Sequence, residues 1–354
     1  MLLGGLKNKQ RGDTMGLKIS EKLKGISICN IVVCCDGTWN TEDPDESNNE
    51  ATTNVLRIHD LLESDTPYDN EDGKCALIHA IYVEGPGTIK GNKLTGGLLA
   101  TDLDEPIKEA YRQLIKVVKV CSKEDVEPHV FLFGFSRGAY ICHLLSWLLY
   151  RVGITTRLLK DVDVIVDAFL NKDGMELDKL TKDCIIEAPR ICMMGLWDTV
   201  SSQHDKYRGF FNGLRSPLID CIYHAMAADE RRDLFPVMHY LHDDKITQMW
   251  FSGVHSEVGG GYADDVGLAD ISLEWMIDKA KSCGLKFKRE FRKKNVDFYA
   301  ANKKAHHPFG EKAYAVRRFW PFDRIHESVH ERVAKTFYVL DFENFESDGI
   351  NVSL

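Results

Sequence analysis

Residues 130–140 read VFLFGFSRGAY, and this stretch decides the fold. Val130-Phe131-Leu132-Phe133 has the β-branched and aromatic character of a short buried strand. Tyr140 to Leu149 is apolar nearly all round, the pattern of a buried helix. Between them lies Gly134-Phe135-Ser136-Arg137-Gly138, in the strand–turn–helix setting that a nucleophile elbow requires. The turn is so sharp that a Cβ at Gly134 or Gly138 would strike neighbouring backbone. Ser136 is expected in a strained conformation with its Oγ projecting above the sheet. It would sit at a helix N-terminus, which favours negative charge nearby. Read without a nucleophile, the same stretch is a tight strand-to-helix turn.

Outward from the elbow the chain alternates. Ile28 to Cys35 (ICNIVVCC) is an apolar run stopped by Asp36-Gly37, and 77–83 (LIHAIYV) is a second, stopped by Gly85-Pro86-Gly87. Leu103, Ile107, Ala110, Tyr111, Leu114 and Val118 have helical spacing, with Asp102 as the expected cap and Pro106 in the first turn. Further strands are expected at 191–197 (ICMMGLW) and 249–254. Helices are expected at 271–283 and from Ser216-Pro217, with Leu218, Cys221, Ile222 and Ala225 on one face. Strands alternating with helices predict an α/β fold, a mostly parallel central sheet with helices on both faces. The segments 156–183 and 284–330 interrupt the alternation and read as helical insertions, a lid and an acyl pocket. Residues 1–25 read as a flexible N-terminal tail, 26–340 as one domain and 341–354 as a C-terminal tail.

Composition excludes several classes. The 354 residues are 44% hydrophobic and 28% charged, which fits neither a disordered nor a fibrous chain. No run of 18 or more uncharged apolar residues predicts a membrane span, and MLLGGLKNKQRGD lacks the apolar core of a secretory signal. A cytoplasmic location, with delivery by another route left open, is the expectation. Met15-Gly16 would begin a myristoylation signal only if translation started there. Ten cysteines without a CxxC pair read as buried thiols. His306-His307 cannot face one ion from a regular element, so no metal is expected. The net charge of −9 is uneven: 41–73 carries eleven acidic residues against one Arg, whereas 279–318 carries thirteen basic residues against three acidic. The bland reading is two solvated faces. The sharper one is a peripheral contact of 279–318 with anionic phospholipid, and nucleic acid is disfavoured.

A serine needs a base, and the base needs an orienting acid. Asp198 follows the strand 191–197 and so shares the sheet edge on which an elbow sits; its alternative role is to start a loop. His255 lies between a strand and Gly259-Gly260-Gly261, where three glycines imply unusual backbone or a close approach. His204, His239 and His242 are less constrained alternatives, and a structural histidine is the plain reading of any of them. The oxyanion hole needs two backbone donors. Arg137 is one candidate, and Gly37 or Thr38, leaving the first strand, is the other. Asp36 would fix that loop by accepting backbone N–H bonds. A rival reads CCDGT at 34–38 as the DxDGT of a dehalogenase-type phosphatase, but Cys34 stands where that chemistry needs its nucleophilic Asp.

These segments together resemble an α/β-hydrolase family that includes the catalytic domain of type VI secretion phospholipase effectors. The resemblance is carried by VVCCDGTWN (32–40), TNVLR (53–57), YVEGPGT (82–88), EAYRQL (109–114), FLFGFSRGAY (131–140), GLWDTV (195–200), YHAMAADERRDLF (223–235) and WFSGVHSEVGGGY (250–262). It spans roughly residues 28–335. It implies an α/β-hydrolase-like fold and a Ser–Asp–His triad on Ser136, Asp198 and His255. Glu257 departs from the family pattern, which has Asp after His-Ser.

The expected function is a serine hydrolase of carboxylic esters, lipid or phospholipid esters foremost, that works through an acyl-enzyme without a cofactor. Peptidase or thioesterase chemistry would use the same triad. A non-catalytic binding module on the same scaffold is the reading from a different class.

Overall fold

The computed structural model describes residues 16–38, 40, 50–87, 102–156, 159–182, 185–201, 205–207, 209–233, 235–262, 267–292, 296, 298, 316–336, 338 and 340. Twelve strands follow in chain order: β1 (Ile28–Cys35), β2 (Glu50–Thr53), β3 (Tyr68–Asp69), β4 (Cys75–Val83), β5 (Glu127–Phe135), β6 (Ile154–Thr155), β7 (Ile185–Ile186), β8 (Ile191–Trp197), β9 (Ile222–Ala227), β10 (Ile246–Phe251), β11 (Gly260–Tyr262) and β12 (Arg324–Ile325).

Eight of them form one sheet in the order β12-β10-β9-β8-β5-β1-β4-β3, parallel throughout except for the edge strand β3. The side-chain alternation of β1 explains why both faces are covered. Cys29, Ile31, Val33 and Cys35 enter one buried cluster, whereas Ile28, Val32 and Cys34 enter another on the opposite face. The first cluster is closed by the helices Asp104–Lys123 and Arg137–Val152, the second by Asn54–Leu61 and Leu268–Ser282. This is the α/β-hydrolase-like arrangement expected.

Register sets the site. Cys35 of β1 pairs with Gly134 of β5, and Phe135 of β5 pairs with Trp197 of β8. The residues that follow these strands, Asp36, Ser136 and Asp198, therefore leave the sheet along one edge. The chain passes from β4 through Asp104–Lys123 to β5 on the far side of β1, so strand order reverses between β1 and β5. Ligands of open α/β sheets bind at such a reversal, outside the carboxyl ends of the strands.

Four expectations need correction. No helix begins at Ser216-Pro217. The apolar residues there lead into β9, which pairs with β8 on one side and β10 on the other, and that pairing outweighs the helical spacing. Residues 16–25, expected as part of a flexible tail, are not one. Residues 16–22 are helical, and Ile19, Leu23 and Ile26 are buried in the first cluster; 1–15 and 341–354 lie outside the described residues. Asp102 accepts the Asp104 N–H at 3.0 Å, but Leu103 is the cap position. The first insertion, 156–183, expected with the second to form a lid and an acyl pocket, is part of the core. Its helix Leu159–Leu170 buries Val162, Ile165 and Val166, and Lys108 and Arg112 of the helix Asp104–Lys123 clamp it through Asp167 (2.8 Å) and Asp163 (2.7 Å). No described helix is long and apolar enough to cross a membrane.

Candidate active site

Ser136 has φ 56° and ψ −124°, a conformation that costs an L-residue free energy and persists only where its surroundings enforce it. Three features enforce it here. The Ser136 N–H is held by the Trp197 carbonyl at 3.0 Å. A Cβ on Gly134 would lie 2.6 Å from Ala139 Cα, and one on Gly138 would lie 2.1 Å from the Cys35 carbonyl oxygen, so only glycine lets the strand turn directly into the helix Arg137–Val152. Arg137 is the first residue of that helix, and its buried guanidinium is pulled down to about 10 by loss of solvent.

Asp198 is buried at the end of β8 with φ 35°. Its Oδ1 accepts the Ala227 N–H at 3.0 Å, while Oδ2 lies 2.7 Å from His255 Nδ1 and accepts from Arg317 Nη2 at 2.9 Å. Burial alone would raise this carboxyl; the Arg317 charge and the His255 contact outweigh burial and hold it well below the usual carboxylate range.

His255 opens the short helix His255–Gly259 that follows β10. Its ring is wedged between Phe135 (centroids 4.6 Å apart) and Phe235 (5.0 Å). Burial lowers its basicity, and the opposing pull of Asp198 and Glu230 does not fully restore it. Backbone around it is tied down on both sides. Glu230 Oε2 accepts the His255 N–H at 3.2 Å, and Glu257 Oε2 accepts the Val254 N–H at 2.9 Å. Glu257 thus caps the helix on which the histidine rides. The unusual backbone expected at the glycine run is present: Gly260 has φ 81°, and a Cβ there would lie 2.7 Å from Asn54 N.

The loop after β1 faces the elbow, since a Cβ on Gly37 would lie 3.3 Å from Ser136 Cβ. Asp36, expected to accept backbone N–H bonds from this loop, takes one such bond and others from side chains. It accepts from the Gly37 N–H at 2.6 Å, Thr53 Oγ1 at 2.6 Å and Tyr82 OH at 2.7 Å. Burial pushes its carboxyl up to about 6 against these bonds. The Gly37 N–H, expected as an oxyanion donor, is committed to Asp36. Thr38 is left as the candidate from this loop, and its hydroxyl is buried without a hydrogen-bond partner.

Of the other histidines, His239 lies 3.3 Å from Asp323 and packs on Trp250 and Trp320, and His242 stacks on Phe322; neither touches Asp198. His204, His306 and His307 lie outside the described residues. Cys34 is buried in the core. Among the described residues, no group of three or more His, Cys, Asp or Glu is placed to hold a metal, and none of the nine described cysteines is in a disulfide.

Two buried residues beside the site are not evident from the sequence. Arg317 belongs to the basic stretch 279–318, expected to meet anionic phospholipid; it is buried, and its guanidinium pairs with Asp198. Glu230 is also buried, where it accepts a two-pronged bond from Arg232 at 2.8 Å on each oxygen. The ADERRD run at 228–233 is a signal for Glu230, whereas nothing singles Arg317 out among its basic neighbours.

The family model described as "T6SS, Phospholipase effector Tle1-like, catalytic domain" matches residues 29–279. A Saccharomyces cerevisiae protein described as uncharacterised, YEL023C, is 25% identical over 252 residues, which cover 65% of this chain and 35% of that protein. Two solved structures are similar in part. One is a Tle1 effector bound to the VgrG spike of the type VI secretion system (15% identity, TM-score 0.42, 67% of this chain and 52% of that one). The other is an uncharacterised protein from Pseudomonas aeruginosa (16% identity, TM-score 0.44, 81% and 50%). The chain spans about a third of the length of the curated relative and about half of each solved chain.

Proposed function

The chain belongs to the family of Tle1-like phospholipase effector catalytic domains, and from that premise we propose that it is a serine hydrolase of phospholipid acyl esters. The observation that carries the reading is the 2.7 Å contact between His255 Nδ1 and Asp198 Oδ2 at the edge of the sheet where Ser136 holds its strained elbow. Ser136 Oγ attacks the ester carbonyl while His255 Nε2 takes its proton and passes it to the leaving alcohol. Asp198, ionised by its surroundings, holds the Nδ1–H tautomer and stabilises the imidazolium. The oxyanion is met by the N–H groups of Arg137 and Thr38, and the helix N-terminus adds to this. Water then attacks the acyl-enzyme with His255 as base, releasing the fatty acid.

The exposed Lys281, Lys286, Lys288, Arg289 and Arg292 remain suited to anionic headgroups. The test is fluorophosphonate labelling of the wild type and Ser136→Ala, followed by turnover of phospholipid against short soluble esters. Labelling lost in the variant, with phospholipid preferred, supports the proposal. An unlabelled, well-folded wild type overturns it.

A further inference from the structure

Arg317 reaches Asp198 from 119 residues downstream and from outside the 29–279 family match. It is only 5% exposed, and its Nη1 is buried without a hydrogen-bond partner. A guanidinium buried with an idle donor is costly, and an apolar side chain would serve packing better. Among the described residues its hydrogen bond goes to the carboxylate oxygen that also faces His255.

We infer that Arg317 is a positioning residue of the triad: it locks the Asp198 carboxylate and tempers the basicity of His255. The inference rests on the serine-hydrolase reading. With Oδ1 on the Ala227 N–H and Oδ2 between Nη2 and Nδ1, the carboxylate has no rotation left that keeps its bonds. The charge argument follows from the same contacts. With Arg317 present, protonating His255 takes the Asp198–His255–Arg317 cluster from neutral to a net positive charge. Without it, the same proton would neutralise a buried anion, which is favourable. Arg317 thereby keeps His255 a free base at lower pH.

Arg232 also lowers His255, but it is bonded to Glu230, and among the described residues Arg317 is the cation on the Asp198 carboxylate. Glu230, after β9, takes the His255 N–H but is itself neutralised by Arg232. Glu257, on the histidine's own helix, caps Val254. His224 of β9 accepts the Thr199 N–H, and burial holds it neutral, down at about 4.

The test uses the full chain and a short soluble ester across pH 5 to 9, with Arg317→Met, Arg317→Lys and Ser136→Ala. The acid limb of kcat/KM is expected to move up by about one pH unit in Arg317→Met, a loss that approaches about tenfold only below the wild-type limb and is small at pH 8. Arg317→Lys should restore most of the limb. A folded Arg317→Met with an unmoved limb, or with an equal loss at every pH, overturns the inference. A second measurement needs no turnover: by NMR the His255 imidazole should titrate higher in Arg317→Met than in the wild type and return toward the wild-type value in Arg317→Lys, and equal values in all three overturn the inference. If Ser136→Ala keeps wild-type turnover, the hydrolase reading fails instead, and the His255 titration still judges Arg317.

Discussion

Gly138 and Cys35 approach so closely that a Cβ on the glycine would lie 2.1 Å from the cysteine's carbonyl oxygen. The turn at Ser136 and the end of β1 are therefore one rigid unit, and the loop that carries Thr38 begins on the residue after that carbonyl. Gly138→Ala must push the two apart. A loss of about 1–3 kcal/mol in urea unfolding is expected, with ester turnover falling at least ~100-fold because Ser136 and Thr38 separate. Gly174→Ala is the control: nothing lies within 4 Å of its Cβ, so stability should hold or rise slightly.

Asp198→Asn should keep the fold and lower kcat by a factor on the order of 10³–10⁴, because the amide cannot hold the Nδ1–H tautomer. It should also change acid stability. The folded carboxyl sits below its ordinary value of 3.8, so its contribution is present above that pH and is lost as pH falls through the lower folded value. Unfolding at graded acid pH should show this loss in the wild type and not in the variant.

Asp36 works in the opposite direction. Its folded value is raised from 3.8 to about 6, so the native state binds the extra proton between those limits. The contribution is full below about pH 4 and is lost as pH rises through about 6, roughly 3 kcal/mol in all. Asp36→Asn should remove that slope from denaturation midpoints measured at pH 4, 5, 6 and 7.

Glu257→Ala leaves the Val254 N–H without its carboxylate acceptor. A cost of about 1 kcal/mol is expected, together with reduced turnover, since His255 is the next residue along the chain. Glu257→Gln keeps an acceptor and should recover most of both, as melting and steady-state kinetics would show.

Replacing Lys286, Lys288 and Arg289 with Glu should weaken binding to anionic vesicles and leave turnover of a soluble ester unchanged. All three side chains are exposed. Equal vesicle binding in co-sedimentation would remove the headgroup contact from the proposal.

The strand–turn–helix around Ser136 is legible because strand, glycine spacing and buried helix each constrain the same five residues. Asp198 and His255 were legible because both follow apolar runs, and residues at the ends of parallel strands share an edge. Arg317 was not. Its neighbours carry the same charge, and only the fold decides which of them is buried. The false helix at Ser216-Pro217 failed for a related reason. Spacing of Leu218, Cys221, Ile222 and Ala225 fits a helix locally, but Ile222–Ala227 is flanked by two strands whose hydrogen bonds it completes. Gly37 was a sound candidate by position, and its N–H was lost to a carboxylate one residue away.

The pairing of β10 with β12, at Met249 with Arg324 and Trp250 with Ile325, lies half outside the segment matched by the family. A fragment cut at residue 279 would therefore end in an open sheet edge, with Met249 and Trp250 offering unsatisfied backbone groups to any other chain. Such a fragment should self-associate rather than behave as a minimal enzyme, so expression boundaries belong beyond the helix Glu327–Lys335.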